Sequence, residues 1–220
     1  MRKYELLHEI CDAGVIAVLR GRSADDVREM AERAIAGGIR VVEITMTTRG
    51  ALDAIRELAV RYADGDVIVG AGTVLDAETA RAAMLSGAAF VVSPSFHPET
   101  VKMCNRYRVP VMPGVMTLGE IQAALELGVD VMKLFPGQLF SPSFIRAVKG
   151  PMPQVNLMPT GGVSLDNLAE WIRAGAVAVG IGSALTDEAV KTGDYSRITA
   201  QAARFVEAYR TAAAYRAPMA

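Results

Sequence analysis

The sequence predicts an α/β protein, namely a single-domain (β/α)8 barrel of the TIM-barrel type with an extra N-terminal helix. Short apolar runs typical of strands alternate with amphipathic segments typical of helices eight times along the 220 residues. Several helical segments end at a glycine directly before the next apolar run, which is a common left-handed C-cap. These joints are 36–38, 86–88, 127–129 and 174–176. An open doubly wound sheet alternates in the same way, but the count of eight strands and the absence of an early GxGxxG motif favour the barrel.

The predicted strands are short apolar runs, several of them preceded by a helix-ending glycine. The first follows a leading helix and ends at Arg20. In chain order the predicted strands are 15–19, 39–44, 67–71, 90–92, 111–112, 129–135, 155–158 and 177–181.

The amphipathic segments between these strands predict the helices. Ser23 can N-cap the first of them, which carries Asp25 and Asp26 in its first turn, where negative charge is favourable, and which runs to about Ala36. The helices predicted after it are 51–62, 77–85, 98–107, 118–127, 142–148, 165–174 and a long terminal helix over 195–214.

No linker or low-complexity segment interrupts this alternation, so we expect one domain over 1–220. Within it, 1–12 is expected to form the leading helix and 215–220 a loose tail. The N-terminal segment lacks the apolar core of a secretory signal, and no apolar run is long enough to span a bilayer.

Composition narrows the class of partner. A net charge of −1 and a pI near 6.2 give no basis for binding nucleic acid or an anionic membrane. Cys11 and Cys104 form no metal-ligand spacing, and two lone thiols without a secretory signal indicate a cytoplasmic protein. His8 and His97 stand far from each other and from any cluster of acids. We therefore expect neither a metal nor a cofactor.

Polar residues stand at the ends of seven of the eight predicted strands. The active site of a (β/α)8 barrel lies where the strands end and the βα loops begin, so these residues are the candidates for one central site. They are Arg20, Glu43, Thr45, Thr73, Ser93, Lys133, Thr160 and Ser183.

Lys133 and Glu43 are charged residues inside otherwise apolar strands, the sixth and the second. Alternate strands of a barrel contribute to the same interior layer, so the two side chains are expected to face each other. A lysine amine in a dry site is a nucleophile for carbonyl carbons, which predicts a Schiff base with a keto substrate. The alternative is a buried structural ion pair. We favour catalysis, because titratable groups at a strand end are candidates for function.

Two glycine-rich loops follow the seventh and eighth strands. They are MPTGGV at 158–163 and VGIGS at 179–183. In barrels these loops commonly bind phosphate through backbone N–H groups and a helix N-terminus. The alternative is that they are tight turns only. A third stretch, VGAGTV at 69–74, adds a hydroxyl and bare backbone at the same end, but alone it is a weak signal.

These residues resemble the class I 2-keto-3-deoxy-6-phosphogluconate (KDPG) and 4-hydroxy-2-oxoglutarate (KHG) aldolases. The likeness covers about residues 13–185, with the motifs in the same order, and together the motifs are highly specific. They are IAVLR at 16–20, VEIT at 42–45, VGAGTV at 69–74, VSP at 92–94, MPGVMT at 112–117, MKLFPG at 132–137 and PTGGV at 159–163.

The resemblance implies a (β/α)8 barrel that is usually a homotrimer and works without a metal. The residue matching Lys133 forms the Schiff base in that family, and the residue matching Glu43 shuttles protons. In the family, the residues that match Thr73, Pro94 and Thr160 of this chain line the pyruvate half of the site. The family residues that match Gly161, Gly162, Gly182 and Ser183 form the phosphate cradle. Arg20 matches a basic position near the substrate.

One position departs from the family pattern. Many members carry an arginine four residues after the catalytic glutamate, where it can grip the substrate carboxylate, and this chain has Thr47 there. Arg49 lies two residues further on. It could reach back to the carboxylate, but we expect it to open the following helix on the solvent side.

The expected function is cleavage of KDPG to pyruvate and glyceraldehyde 3-phosphate. Two alternatives keep the chemistry and change the substrate, to 2-keto-3-deoxy-6-phosphogalactonate or to unphosphorylated 4-hydroxy-2-oxoglutarate. Two others change the class, to a sugar-phosphate isomerase or epimerase, or to a barrel that only binds a phosphorylated metabolite. Neither of these needs the nucleophilic lysine.

Overall fold

The computed structural model describes residues 2–214, and they form the predicted barrel with its extra N-terminal helix. The strands are β1 (Val15–Leu19), β2 (Val41–Thr45), β3 (Ile68–Gly72), β4 (Val91–Val92), β5 (Val111–Met112), β6 (Gly114–Val115), β7 (Met132–Leu134), β8 (Leu157–Pro159) and β9 (Val179–Ile181). The expected loose tail, 215–220, lies outside the described residues.

Helix α1 precedes the first strand, and the later helices surround the strands. They are α1 (Arg2–Ala13), α2 (Ala24–Ala36), α3 (Ala51–Arg61), α4 (Ala77–Leu85), α5 (Pro98–Arg106), α6 (Leu118–Glu126), α7 (Pro142–Lys149), α8 (Leu168–Arg173), α9 (Ser183–Thr192) and α10 (Ser196–Ala213). A short 3₁₀ helix, Gly137–Leu139, precedes α7. None of the helices described is long and apolar enough to cross a membrane.

All strand pairs are parallel, and together they close the barrel. Six strands pair in the order β5-β4-β3-β2-β1-β9, and three in the order β6-β7-β8. One segment of chain, interrupted at Pro113, supplies both β5 and β6 and so forms the fifth barrel position. At the other margin, Thr160 after β8 bridges Gly180 on β9. Lys133, on β7, therefore occupies the sixth barrel position.

The buried apolar residues form two clusters. The larger cluster lies between the strands and the surrounding helices. The smaller one fills the barrel interior and is closed by Leu7 and Ile10 of α1, which covers the end at which the strands begin. Its members are Leu7, Ile10, Ile16, Val41, Ile68, Phe90, Val92, Met112, Val131, Met158, Val177 and Ala178.

Two parts of the fold differ from the expectation. The fifth strand continues past residue 112 after a break at Pro113, because proline has no N–H to donate to a neighbouring strand. The stretch after β9 was expected to be a loop but forms α9, which starts at Ser183 and ends at Gly193 in the left-handed conformation, with φ +72°. Helix α9 buries only Leu185, Thr186 and Ala189, a stripe too narrow to give a clear period in the sequence.

Candidate active site

Lys133 and Glu43 meet inside the barrel. Lys133 lies in the middle of β7 and Glu43 in the middle of β2, and these two strands are not neighbours. The distance from Lys133 Nζ to Glu43 Oε1 is 3.6 Å, and the two side chains are 5% and 0% exposed. The expected pairing across the interior is therefore present, and both side chains are buried. Lys133 Nζ also lies 5.0 Å from the centre of the Phe135 ring.

Burial has the largest effect on the ionisation of Glu43. It raises the pKa of this carboxyl above its ordinary value, and the positive charges of Lys133 and then Arg20 offset part of that effect. Neither carboxylate oxygen accepts a hydrogen bond from a described residue. Buried polar atoms are normally satisfied, so a carboxylate left in this state is suited to a ligand or a reacting proton.

Gly72 makes room for that carboxylate. A Cβ built on Gly72 would lie 1.8 Å from Glu43 Oε1, so no other residue fits without moving the glutamate. The sequence predicted only bare backbone at this end of the barrel for the stretch 69–74, and the close approach of Gly72 to Glu43 was not predicted. The signal was its place: it ends a strand that neighbours the strand of Glu43.

The two threonines beside Glu43 lie at the same end of the barrel. Thr45 ends β2 and is fully buried, and its hydroxyl accepts a hydrogen bond from the Thr47 hydroxyl at 3.2 Å. Thr73 follows β3 with φ +57°, a left-handed conformation that a β-branched residue rarely adopts. Strained backbone of this kind clusters at functional sites, so Thr73 stays a candidate for contact with substrate.

Ser93 and Pro94 belong to the loop after β4. Ser93 is buried, and its hydroxyl donates to the carbonyl oxygen of Ser95 at 2.8 Å, which fixes this loop. The Pro94 carbonyl packs directly on β6, because a Cβ on Gly114 would lie 2.0 Å from its oxygen. Ser93 thus shapes the loop that carries Pro94 toward the strand next to Lys133.

Thr160 joins the two glycine-rich loops. Its side chain is buried, and its hydroxyl has no hydrogen-bond partner among the described residues. Because Thr160 bridges Gly180, the loop after β8 lies beside the loop after β9. A Cβ on Gly180 would lie 2.4 Å from the Thr160 hydroxyl oxygen, so this close approach requires glycine.

The four predicted phosphate contacts lie on these adjacent loops. Gly161 and Gly162 both have positive φ, +87° and +73°. Gly182 precedes α9 and Ser183 is its first residue, exposed to solvent. The first N–H groups of a helix have no intrahelical partner and favour an anion. Asn167 braces the first loop by donating to the Gly162 carbonyl at 2.8 Å.

Arg20 is the arginine that acts on the central pair. It follows β1, is exposed, and its charge favours the ionised form of Glu43. Arg49 is exposed just before α3, and within the described chain it forms no hydrogen bond or ion pair. The Thr47 hydroxyl donates its hydrogen bond to the Thr45 hydroxyl.

The histidines and cysteines lie apart from this site. His8 pairs with Asp12 at 3.2 Å on the exposed side of α1, and His97 Nδ1 contacts the Thr100 hydroxyl at 3.0 Å. Burial raises the pKa of the Cys104 thiol to about 12. Across residues 2–214 no group of three or more His, Cys, Asp or Glu side chains could hold a metal ion.

Known proteins resemble this chain over most of its length. A family model described as KDPG and KHG aldolase matches residues 7–201. The 2-dehydro-3-deoxy-phosphogluconate aldolase of Treponema pallidum (strain Nichols) is 40% identical over 188 residues, which are 84% of this chain and 89% of that protein. The 2-dehydro-3-deoxy-6-phosphogalactonate aldolase of Escherichia coli (strain K12) is 36% identical over 200 residues, or 90% and 95% of the two chains.

A solved structure agrees with these relatives. It is the KDPG aldolase from Legionella pneumophila with pyruvate captured as a covalent carbinolamine intermediate, at a TM-score of 0.81 and 30% identity. The match covers 89% of this chain and 95% of that one. Since sequence and structure agree over nearly the whole barrel, the chain belongs to the KDPG and KHG aldolase family.

Proposed function

We propose that this protein is a class I aldolase that cleaves KDPG to pyruvate and glyceraldehyde 3-phosphate through a Schiff base on Lys133. The observation that carries the proposal is the buried Lys133–Glu43 pair, 3.6 Å apart inside the barrel, with the carboxylate against Gly72 at the end of β3. The name of the T. pallidum relative and the carbinolamine in the L. pneumophila structure support the same chemistry.

The reaction begins at Lys133. Its neutral amine attacks C2 of the keto acid and forms a carbinolamine, and loss of water gives a protonated imine. Glu43, directly or through one water, takes the proton from the C4 hydroxyl. The C3–C4 bond then breaks, its electron pair moves into the iminium to form an enamine, and glyceraldehyde 3-phosphate leaves. Protonation of the enamine at C3 and hydrolysis of the imine release pyruvate and restore the amine.

Glu43 is both acid and base in this cycle. It helps water leave the carbinolamine, removes the C4 hydroxyl proton, and returns a proton to C3. A group with both roles works best when its pKa is nearer neutrality than that of a free carboxyl. The burial that raises the pKa of Glu43 supports this assignment.

The glycine-rich loops are proposed to hold the substrate phosphate. Gly161 and Gly162 expose backbone after β8, and Gly182 and Ser183 lie at the N-terminus of α9. Binding the phosphate there fixes the far end of the substrate, so that C4 lies within reach of Glu43.

The pyruvate half is proposed to lie over the strand ends, against Thr45, Thr73, Ser93, Pro94 and Thr160. Arg20 holds the carboxylate in place of the arginine that many members of the family carry at the position of Thr47. Two observations support this role: Arg20 carries the charge that acts on Glu43, and the position of the family arginine is occupied by the uncharged Thr47.

Trapping tests the role of the lysine. Borohydride in the presence of pyruvate should reduce the imine and leave an adduct on Lys133, which mass spectrometry of the digested protein detects. Lys133→Met should form no adduct. Lys3 is a matched control, because it is also buried but pairs with Asp130 at 2.8 Å at the other end of the barrel. Lys3→Met should still form the adduct. An adduct on another lysine contradicts the assignment of Lys133, and the absence of any adduct contradicts the proposal and would favour an isomerase, an epimerase or a simple binding barrel.

The galactonate analogue is the second candidate substrate, since the E. coli relative is named for it. A panel of the two C4 epimers and unphosphorylated 4-hydroxy-2-oxoglutarate separates the possibilities. We expect the highest kcat/KM for the gluconate epimer and a large loss without phosphate. Equal activity on the unphosphorylated acid would contradict the phosphate assignment.

We further propose a cytoplasmic homotrimer, as the family resemblance implies. Four large apolar side chains near the strand ends are exposed and suited to contact another copy: Leu75, Met116, Leu118 and Leu139. Light scattering should give a mass about three times the 23.4 kDa of one chain.

A further inference from the structure

Thr48 is a buried threonine outside the set proposed to touch substrate. It lies in the loop after β2, and its side chain is 3% exposed. Its hydroxyl accepts a hydrogen bond from the backbone N–H of Gly21 at 3.0 Å. Gly21 is the residue directly after Arg20, so this bond joins the loop that follows Glu43 to the loop that carries Arg20.

Thr48 is itself held firmly. Its backbone N–H donates to the Thr45 carbonyl at 3.0 Å, and its carbonyl accepts from the Ala51 N–H at 3.2 Å. The acceptor presented to Gly21 therefore has a fixed position relative to β2 and Glu43.

The loop that receives this bond is restrained on its other side as well. A Cβ on Gly21 would lie 2.7 Å from the Val27 N atom, so the loop lies flush against α2. The Arg22 N–H donates to Asp26 at 2.6 Å, and the Tyr195 hydroxyl donates to the other oxygen of the same carboxylate. Thr48 is the contact that reaches this loop from the side of Glu43.

We propose that Thr48 is a positioning residue for recognition of the substrate carboxylate. Its hydroxyl fixes the backbone next to Arg20. The Arg20 side chain therefore begins at a position from which its guanidinium reaches the carboxylate of the bound keto acid. A paired contact between arginine and carboxylate depends on this placement. The inference rests on the proposed function and names the residue that makes Arg20 effective where Thr47 supplies no charge.

Thr48→Val and Thr48→Ser form the test. Valine keeps the shape and removes the acceptor, whereas serine keeps the acceptor. We expect Thr48→Val to raise KM for the keto acid roughly tenfold, because the carboxylate contact weakens equally in the ground and transition states, and to leave kcat within about twofold. The pyruvate concentration that gives half-maximal borohydride trapping should rise by a similar factor. Thr48→Ser should restore both values.

A double-mutant cycle with Arg20→Met asks whether Thr48 acts through Arg20. If it does, Thr48→Val adds no further rise in KM in the Arg20→Met background. Thr199→Val is the matched control, since it also removes a hydroxyl that joins two elements, 3.0 Å from the Arg33 carbonyl and far from the site. This control should leave KM unchanged.

Three outcomes overturn the inference. One is a KM in Thr48→Val equal to that of the wild type. Another is an additive effect in the cycle, which would mean that Thr48 acts independently of Arg20. The third is a wild-type chain that forms no pyruvate adduct, and this outcome alone also overturns the proposed function.

Discussion

Gly72 and Glu43 illustrate, at the scale of single residues, how a missing side chain can shape a site. Gly72 pairs with Thr45 in the register of β2 and β3 and lies against the Glu43 carboxylate. In Gly72→Ala, the new methyl group would occupy the space of Oε1, and the buried glutamate would have to turn away from Lys133. Since a displacement of about 1 Å in a catalytic group can lower the rate about 100-fold, we expect a loss of that order in kcat/KM.

Gly119→Ala is the control for this substitution. Gly119 lies in α6, and a Cβ there meets no atom within 4 Å. This variant should keep full activity and lose no stability, because the added methyl group meets no neighbouring atom and alanine is a better helix former than glycine. Near wild-type kcat/KM in Gly72→Ala, measured on protein with an unchanged circular dichroism spectrum, would show that Glu43 does not need its present position.

The raised pKa of Glu43 predicts the pH dependence of activity. A carboxylate that serves as a base must be ionised, and here burial makes ionisation harder. As pH falls, Glu43 therefore takes up its proton at a higher pH than a free glutamate, whose pKa is about 4.3. The acid limb of kcat/KM should lie above that value and fall with a slope of one.

Rates measured from acid to neutral pH test this prediction, with Glu43→Gln as the comparison. The variant should lose roughly 10²–10⁴-fold in kcat and should lack the acid limb of the wild type, since it has no carboxyl to titrate. An acid limb at or below the pKa of a free glutamate would contradict the role of burial. So would an unchanged limb in Glu43→Gln.

At the scale of elements, the hydrophobic pattern and the helix-ending glycines predicted most of the barrel. Strand and helix positions were predictable because the helix-ending glycines and the short apolar runs are local signals. Helix α9 was not predicted, because its sequence gives no clear helical period. It lies on the surface and buries only Leu185, Thr186 and Ala189, so its sequence lacks a broad apolar stripe.

The convergence of the candidate site residues was predictable to the same degree. Parallel strands bring their ends together, so the polar residues at those ends could be named without knowing any distance. What the sequence could not supply were contacts set by register and loop packing. The Gly21–Thr48 hydrogen bond joins residues 27 positions apart, and the Gly72–Glu43 contact depends on how β2 and β3 align. Neither contact has a local pattern.

At the scale of the whole molecule, the proposed active site and the helix that closes the core, α1, lie at opposite ends of the barrel. The residues proposed to react lie toward the end of the barrel at which the strands end, and α1 covers the end where they begin, with Leu7 and Ile10 in the interior cluster. Lys3 anchors the same helix through its ion pair with Asp130 and a 3.4 Å hydrogen bond to Asn105. Helix α1 should therefore contribute to stability and not to catalysis.

Ile10→Ala tests this separation. Ile10 is 1% exposed, and its truncation would leave a cavity beneath the barrel interior. Buried isoleucine-to-alanine changes cost about 2–5 kcal/mol, and in a chain of this size each kcal/mol lowers Tm by roughly 2–4 °C. Calorimetry should show a clear drop in Tm, while kcat measured well below the transition stays equal to that of the wild type because the reacting groups lie at the other end.

Val60, 74% exposed on α3, supplies the control, since Val60→Ala should change stability by less than about 0.5 kcal/mol. If Ile10→Ala unfolded no earlier than Val60→Ala, α1 would not close the core, and a fall in kcat without a fall in Tm would mean that the two ends of the barrel are coupled.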